Sequence, residues 1–189
     1  MRAILLPIKP EHAFNILKGN KTLELRKTIP KGFKGWVYCY VTKAKPELLK
    51  IDKGHYKLSQ CNTNAFNKIN GTIPFRFWFD EYETYHLYNY GVCLYTDVVE
   101  YNIMYDDLEK LCLDYREIEK YGKGKDLYAW HIKNLEVFEK PMQLSDFMVE
   151  LKRDYGYGAP NRAISRDIYI LKKAPQSWQY VWVEGKQNE

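Results

Sequence analysis

Five residues near the N-terminus could do chemistry together: Lys21, Thr22, Glu24, Arg26 and Lys27, in the run Gly19-Asn20-Lys21-Thr22-Leu23-Glu24-Leu25-Arg26-Lys27. Within a few residues it holds an amine, a hydroxyl, a carboxylate and a guanidinium. In an extended chain alternate residues share a face, so Thr22, Glu24 and Arg26 line one side and Leu23 and Leu25 the other. Neighbours on the polar side then stand about 7 Å apart. Cations so placed can meet phosphates, and a carboxylate can orient a guanidinium or move a proton. Acyl transfer through Thr22 is poorly served, because Lys21 falls on the opposite face. Phosphodiester cleavage needs a base, an acid and a cation, which Glu24, His131 and Lys21 could supply as catalytic residues. The plainer alternative is an exposed sheet face with Glu24 and Arg26 tied to neighbouring strands. A lone histidine such as His131 is also more often a structural hydrogen-bonding residue than a base.

Positioning this run requires an element before it and a sheet around it. Pro10 suits the first turn of a helix, Ala13, Phe14 and Leu17 recur at helical spacing, and Gly19 fits the residue that ends it. Residues 2–8 read as a strand apolar on both faces, hence central. Trp36–Val41 and the alternating Thr72–Phe79 read as further strands, the latter after the turn signal Asn70-Gly71. Residues 82–90 and 92–100 add two more. Leu108, Leu111 and Cys112 form a helical stripe after Asp106 and Asp107, and a second short helix over 116–121 ends at Gly122. Residues 127–132 and 135–138 read as one strand with a bend, closed by Lys140-Pro141, with a short helix from Leu144. In the last strand Trp178, Tyr180 and Trp182 share a face. Residues 42–70 lose periodicity and are expected as a loop-rich insertion. Residues 150–173 are expected as a mobile arm or insertion. A single domain then comprises 1–149 and 174–184.

The chain has 189 residues, 46 % apolar and 28 % charged, enough to bury a core. The net charge is +5, but residues 1–60 hold 13 Lys and Arg against 4 Asp and Glu, which leaves 16 against 20 for the rest. A field of +9 around the motif suits a phosphate-bearing partner, and the 30 aromatic residues, 17 of them tyrosine, offer stacking platforms for unpaired bases. The same features also fit a solvated lysine surface over an aromatic core. Cys39, Cys61, Cys93 and Cys112 are widely spaced and the histidines His12, His55, His86 and His131 stand singly, so neither a metal site nor a disulfide framework is expected. No apolar run spans a bilayer and the opening residues do not form a signal peptide, so a cytoplasmic protein with no membrane partner is expected.

Three segments carry a resemblance to a known family: the N-terminal strand and helix with Gly-x-Lys-Thr-x-Glu-x-Arg over Gly19 to Arg26; Tyr121-Gly122-Lys123-Gly124-Lys125 through Leu127-Tyr128-Ala129-Trp130-His131-Ile132; and Pro175-Gln176-Ser177-Trp178 with Tyr180. In content and order they resemble the ASCH family of the PUA-like superfamily, of the kind carried by phages and bacteria. The resemblance implies an α+β fold, a PUA-like mixed β-barrel with short helices at its rim and a cleft beside the motif for RNA or a nucleotide. On that reading Lys21, Arg26 and Lys27 meet phosphates, with Thr22 beside them and Glu24 orienting Arg26 or accepting from a base edge. Trp130, Gln176, Trp178 and Tyr180 complete the nucleic-acid-binding set, with stacking assigned to the aromatics. No cofactor and no metal is implied. Relatives include RNA-binding modules, ribonucleases and amidohydrolases of acylated cytidine. In the amidohydrolases a threonine nucleophile follows the lysine by three positions, where this chain has Glu24, and a carboxylate does not replace a hydroxyl that forms an ester. The leading reading is therefore an RNA-binding protein. The alternatives are a hydrolase of RNA or of a modified nucleoside, and a phage or host interaction protein with a protein partner, since fold does not fix function.

Overall fold

A computed structural model describes residues 1–44, 48–52, 55–59, 67–93, 96–153 and 165–183, with side chains over 1–44, 67–86, 102–150 and 167–183. Its centre is β1 (Arg2–Ile8), whose residues 3–8 are all buried. Ile4, Leu6 and Ile8 enter one core cluster and Ala3 and Leu5 another, as expected of a strand covered on both faces. β3 (Gly35–Val41) runs parallel to it on one side, and β14 (Gln179–Val183) antiparallel on the other. β6 (Ile73–Phe79) and β11 (Lys133–Met142) extend the sheet beyond β3. β12 (Phe147–Arg153) and β13 (Ser165–Ile170) extend it beyond β14.

These seven strands lie in the order β11-β6-β3-β1-β14-β12-β13. Phe75, Phe77 and Phe79 alternate into the first cluster with Val37, Cys39 and Val41, so the period-two pattern of β6 predicts its buried face correctly. Among the described residues the pairing leaves β11 and β13 at the edges, so the sheet is open and not closed into a barrel. The architecture is α+β, one large sheet with a few short helices.

A second sheet of three strands, in the order β2-β10-β7, carries the motif: β2 (Leu23–Arg26), β10 (Leu127–His131) and β7 (Tyr82–Tyr85). The helix α1 (Pro10–Leu17) packs Ala13 and Ile16 on the first cluster. Two further helices, α2 (Tyr105–Leu111) and α3 (Tyr115–Gly122), contribute Leu111 and Ile118 to a third cluster with Leu23, Leu25, Leu127 and Ala129. A capping box at Asp114 and Glu117 starts α3, with reciprocal bonds of 2.8 and 2.9 Å.

The bend read within 127–138 separates two strands that belong to different sheets. Asn134 takes a left-handed φ of 47° where the chain passes from β10 into β11, which continues through Pro141 to Met142. Residues 144–146 form a single 3₁₀ turn, and Phe147 already begins β12. Over 42–70 the structure holds a hairpin of β4 (Leu48–Asp52) and β5 (His55–Ser59). Within 150–173 it holds the end of β12 and all of β13, paired antiparallel in register from Met148 opposite Ile170 to Arg153 opposite Ser165; residues 154–164 lie outside the described set. β8 (Leu87–Cys93) and β9 (Thr96–Tyr101) form a separate hairpin.

Candidate functional site

The geometry of the motif begins where α1 ends. Gly19, at φ 76°, turns the chain, and the N–H groups of Asn20 and Lys21 both donate to the Asn15 carbonyl, at 2.9 and 3.1 Å. Asn15 is itself buried and donates from Nδ2 to the Glu11 carbonyl. Lys21 is thereby aimed into the protein, where 2 % of it remains exposed.

The far wall is the C-terminus of α2. The last carbonyls of a helix have no partner within it. Cys112 stops α2 in the left-handed conformation, at φ 52°, and leaves two such carbonyls facing the motif. The Leu111 carbonyl accepts from Lys21 Nζ at 2.6 Å, and the Lys110 carbonyl from the Thr22 N–H at 3.0 Å. A cation is favoured at this end by the helix dipole as well.

Glu24 lies between two cations. Its Oε1 is 2.8 Å from Arg26 Nη2 and its Oε2 is 3.4 Å from Lys21 Nζ. Arg26 Nη2 also donates to the Pro7 carbonyl of β1 at 2.7 Å. Burial raises the pKa of Glu24, but Arg26 and then Lys21 outweigh it and hold the carboxyl below its ordinary value. For Lys21 the balance runs the other way: burial exceeds the attraction of Glu24, and its pKa is lowered. The two partners differ because Glu24 has two cations whereas Lys21 must share one carboxylate with Arg26.

His12, from α1, joins the group as a neutral ring. Burial and, next, the Lys21 charge lower its pKa to about 3. Burial likewise pushes up the Cys112 thiol and the Tyr121 phenol, which remain protonated at neutral pH. The cluster therefore holds two cations and one carboxylate. Several of its buried polar atoms have no hydrogen-bond partner: His12 Nδ1, Glu24 Oε2, Arg26 Nε and the indole Nε1 of Trp130, which stands opposite Glu24 in the β2–β10 register.

The residues singled out from sequence fall into three sets. Lys21, Glu24 and Arg26 come together as described. Lys27 is half-buried with its ammonium 5.0 Å from the centre of the Tyr121 ring, and Thr22 is exposed. Trp130 is wholly buried, 4.7 Å from the Phe79 ring and 6.2 Å from that of Trp178, and so offers no face to a base. Trp178 is partly exposed and donates to Thr28 Oγ1 at 2.9 Å. Tyr180 lies beneath the Arg2 guanidinium at 3.8 Å, and Gln176 is exposed.

His131 stands apart. It pairs with Leu23 in the register, on the face of β10 away from Trp130 and Glu24, and its Nε2 lies 2.9 Å from Glu83 Oε1. The structure does not bring it to Lys21 and Glu24. Sequence reasoning missed His12 and Asn15. A usable signal was Asn15 within the apolar stripe of α1, since a buried amide needs partners of its own.

No family model and no curated protein matches the chain. Among solved structures it is similar to the ASCH protein of Zymomonas mobilis, at 14 % identity and a TM-score of 0.47, over 75 % of this chain and 73 % of that one. A point mutant of the same protein matches at 13 % identity and a TM-score of 0.44, over 75 % and 76 %. These are structures of the family that the motif resembles. Likeness at that level carries no statement about activity.

Proposed function

We infer that the protein binds RNA, with a phosphate group drawn to the cluster of Lys21, Glu24, Arg26 and His12. The observation that carries this reading is the excess of positive charge in a buried place. Two cations share one carboxylate there while Lys21 is disfavoured as an ammonium. A buried cation without full compensation is costly, and a phosphate oxygen supplies what is missing. Arg26 and His12 keep 14 % and 21 % of their side-chain surface exposed, so the cluster can be approached from solvent. Tyr121 is near enough to Arg26 and Glu24 to feel their charges and carries the Lys27 ammonium over its ring, and the first 60 residues add a basic field of 13 cationic against 4 acidic side chains. The motif's resemblance to ASCH proteins, which include RNA-binding modules, points the same way. Single-stranded or looped RNA suits the site better than duplex DNA, since Trp178 can stack on an unpaired base.

Fluorescence anisotropy with labelled RNA at low and physiological salt tests this. Binding should weaken steeply as salt rises, and Arg26→Gln should weaken it about tenfold or more while thermal unfolding still reports a folded protein. No binding to varied RNAs at low salt would overturn the reading. Prolonged incubation of labelled RNA and of acylated cytidines with wild type, Lys21→Ala and Glu24→Ala tests the hydrolytic alternative. That alternative requires product from the wild type that both variants lose.

A further inference from the structure

An open concavity of about 430 Å³, lined by more apolar than polar surface, lies between the β3 end, the 3₁₀ turn after β11 and the end of β13 and shares no residue with the Lys21 cluster. Its lining includes Lys43, Lys172, Tyr40, Gln143, Leu144 and Ser145. Neither lysine side chain has an ion-pair or hydrogen-bond partner among the described residues. Both are exposed, and together they give the concavity a positive potential that would draw an anion.

Lys43 is also held in place by the backbone around it. Asn70 clamps the next residue from both sides, accepting from the Ala44 N–H at 3.0 Å and donating to the Ala44 carbonyl at 3.1 Å. Gly71, at φ 75°, lets the lysine stem lie directly on the chain: a Cβ there would come within 2.9 Å of both Cγ and Cε of Lys43. An ordinary surface lysine has no such bed. The floor of the pocket is apolar, from Leu144 and Leu171, with the Tyr40 phenol kept protonated by burial and so able to donate.

We propose that this pocket binds a phosphate ester that carries a planar or apolar group, the chemistry of a nucleotide. Lys43 and Lys172 take the phosphate oxygens, with donors from Gln143, Ser145 or Tyr40, while Leu144 and Leu171 cover the attached group. The volume falls in the range of small-molecule sites. Such an ester comes either as a free nucleotide or as a phosphate along an RNA chain.

The probes are AMP, followed by calorimetry at low salt, and a short labelled single-stranded RNA. The proteins are wild type, Lys43→Gln/Lys172→Gln, Gly71→Ala and Arg26→Gln, with thermal unfolding to confirm that each folds. For a free nucleotide, AMP binds the wild type and, whatever it loses in Arg26→Gln, which removes the other group that draws a phosphate, weakens about tenfold or more in the double variant. Gly71→Ala follows it in part, because the lysine stem must move. For a chain phosphate, AMP does not bind, and the double variant instead lowers RNA affinity and reduces the slope of log affinity against log salt by roughly 1.4, two phosphates' worth. AMP or RNA held equally by wild type and double variant overturns the proposal, as does failure of both ligands to bind the wild type. If AMP binding depends on the lysines and RNA binding is absent, this pocket stands and the RNA reading falls.

Discussion

Two groups of opposed charges among the described residues, one beside β2 and one where β7, β10 and β11 meet, are made different by water. In the first, Lys21, Glu24 and Arg26 are enclosed, and backbone carbonyls of Leu111 and Pro7 complete their contacts. In the second, Lys133 at the start of β11 reaches Asp80 at 3.0 Å and Glu81 at 2.7 Å in the link between β6 and β7, and His131 of β10 reaches Glu83 of β7 at 2.9 Å, all in contact with solvent. Lys133 has its pKa raised by these hydrogen-bonded acids, whereas Lys21 has its pKa lowered despite a carboxylate alongside. Distance alone therefore does not measure such a pair. Solvent repels neither partner at the surface, and in the interior the loss of solvent decides which protonation state is favoured.

The largest effect should come from removing one member of the enclosed group. Glu24→Ala leaves Lys21 and Arg26 without their carboxylate and should cost roughly 3–5 kcal/mol in denaturant unfolding. The double change Lys21→Met/Glu24→Leu should recover only part of that loss, because Lys21 no longer stands without its partner while Arg26 is left with the Pro7 carbonyl. Full stability in Glu24→Ala alone would mean that the site is wetter than described.

Acid comes next. His12 has its pKa lowered in the fold to about 3. The unfolded chain then binds the extra proton first, so stability is fully present above about pH 6.5 and is lost as pH falls toward 3. Glu24, also lowered, adds a loss of the same sign below about pH 4.3. The slope from His12 cannot exceed about 1.4 kcal/mol per pH unit and is smaller because part of the ring is exposed. His12→Gln should flatten the pH 4–6.5 part of the profile; a flat wild-type profile there would contradict the assignment.

The smallest effect belongs to the surface group. Lys133→Ala should leave the melting temperature essentially unchanged, and any change should vanish in high salt. A large loss would make the surface group structural and remove the contrast.

The elements were easier to read than their covers. Pro10, Gly19 and the alternation in 73–79 carry local rules of helix start, helix stop and strand face, and the structure follows them. The faces of β2 were also legible, with Leu23 and Leu25 on one side and Glu24 on the other. What covers the Glu24 side was not. Its surroundings come from Pro7, His12, Leu111 and Trp130, residues that chain entropy and tertiary packing bring together and that no spacing near the motif reports. The same holds for His131, whose one-residue offset from Trp130 sends it to the other face of β10. Residues 165–170 lack a clear period because β13 lies at a sheet edge, where Ile168 and Ile170 stay exposed.

The position of β1 has a consequence for synthesis. Ala3 stands opposite Val181, and the Met1 amine donates to the Val183 carbonyl at 2.8 Å. β1 must therefore wait during synthesis for β14, which lies about 170 residues later in the sequence. At about 5–20 residues per second, β1 spends roughly 10–35 s paired at most on its β3 side, with an apolar edge bare. Folding of this chain should be slow and dominated by contacts between distant residues, and a chaperone that holds nascent β1 would act during that interval.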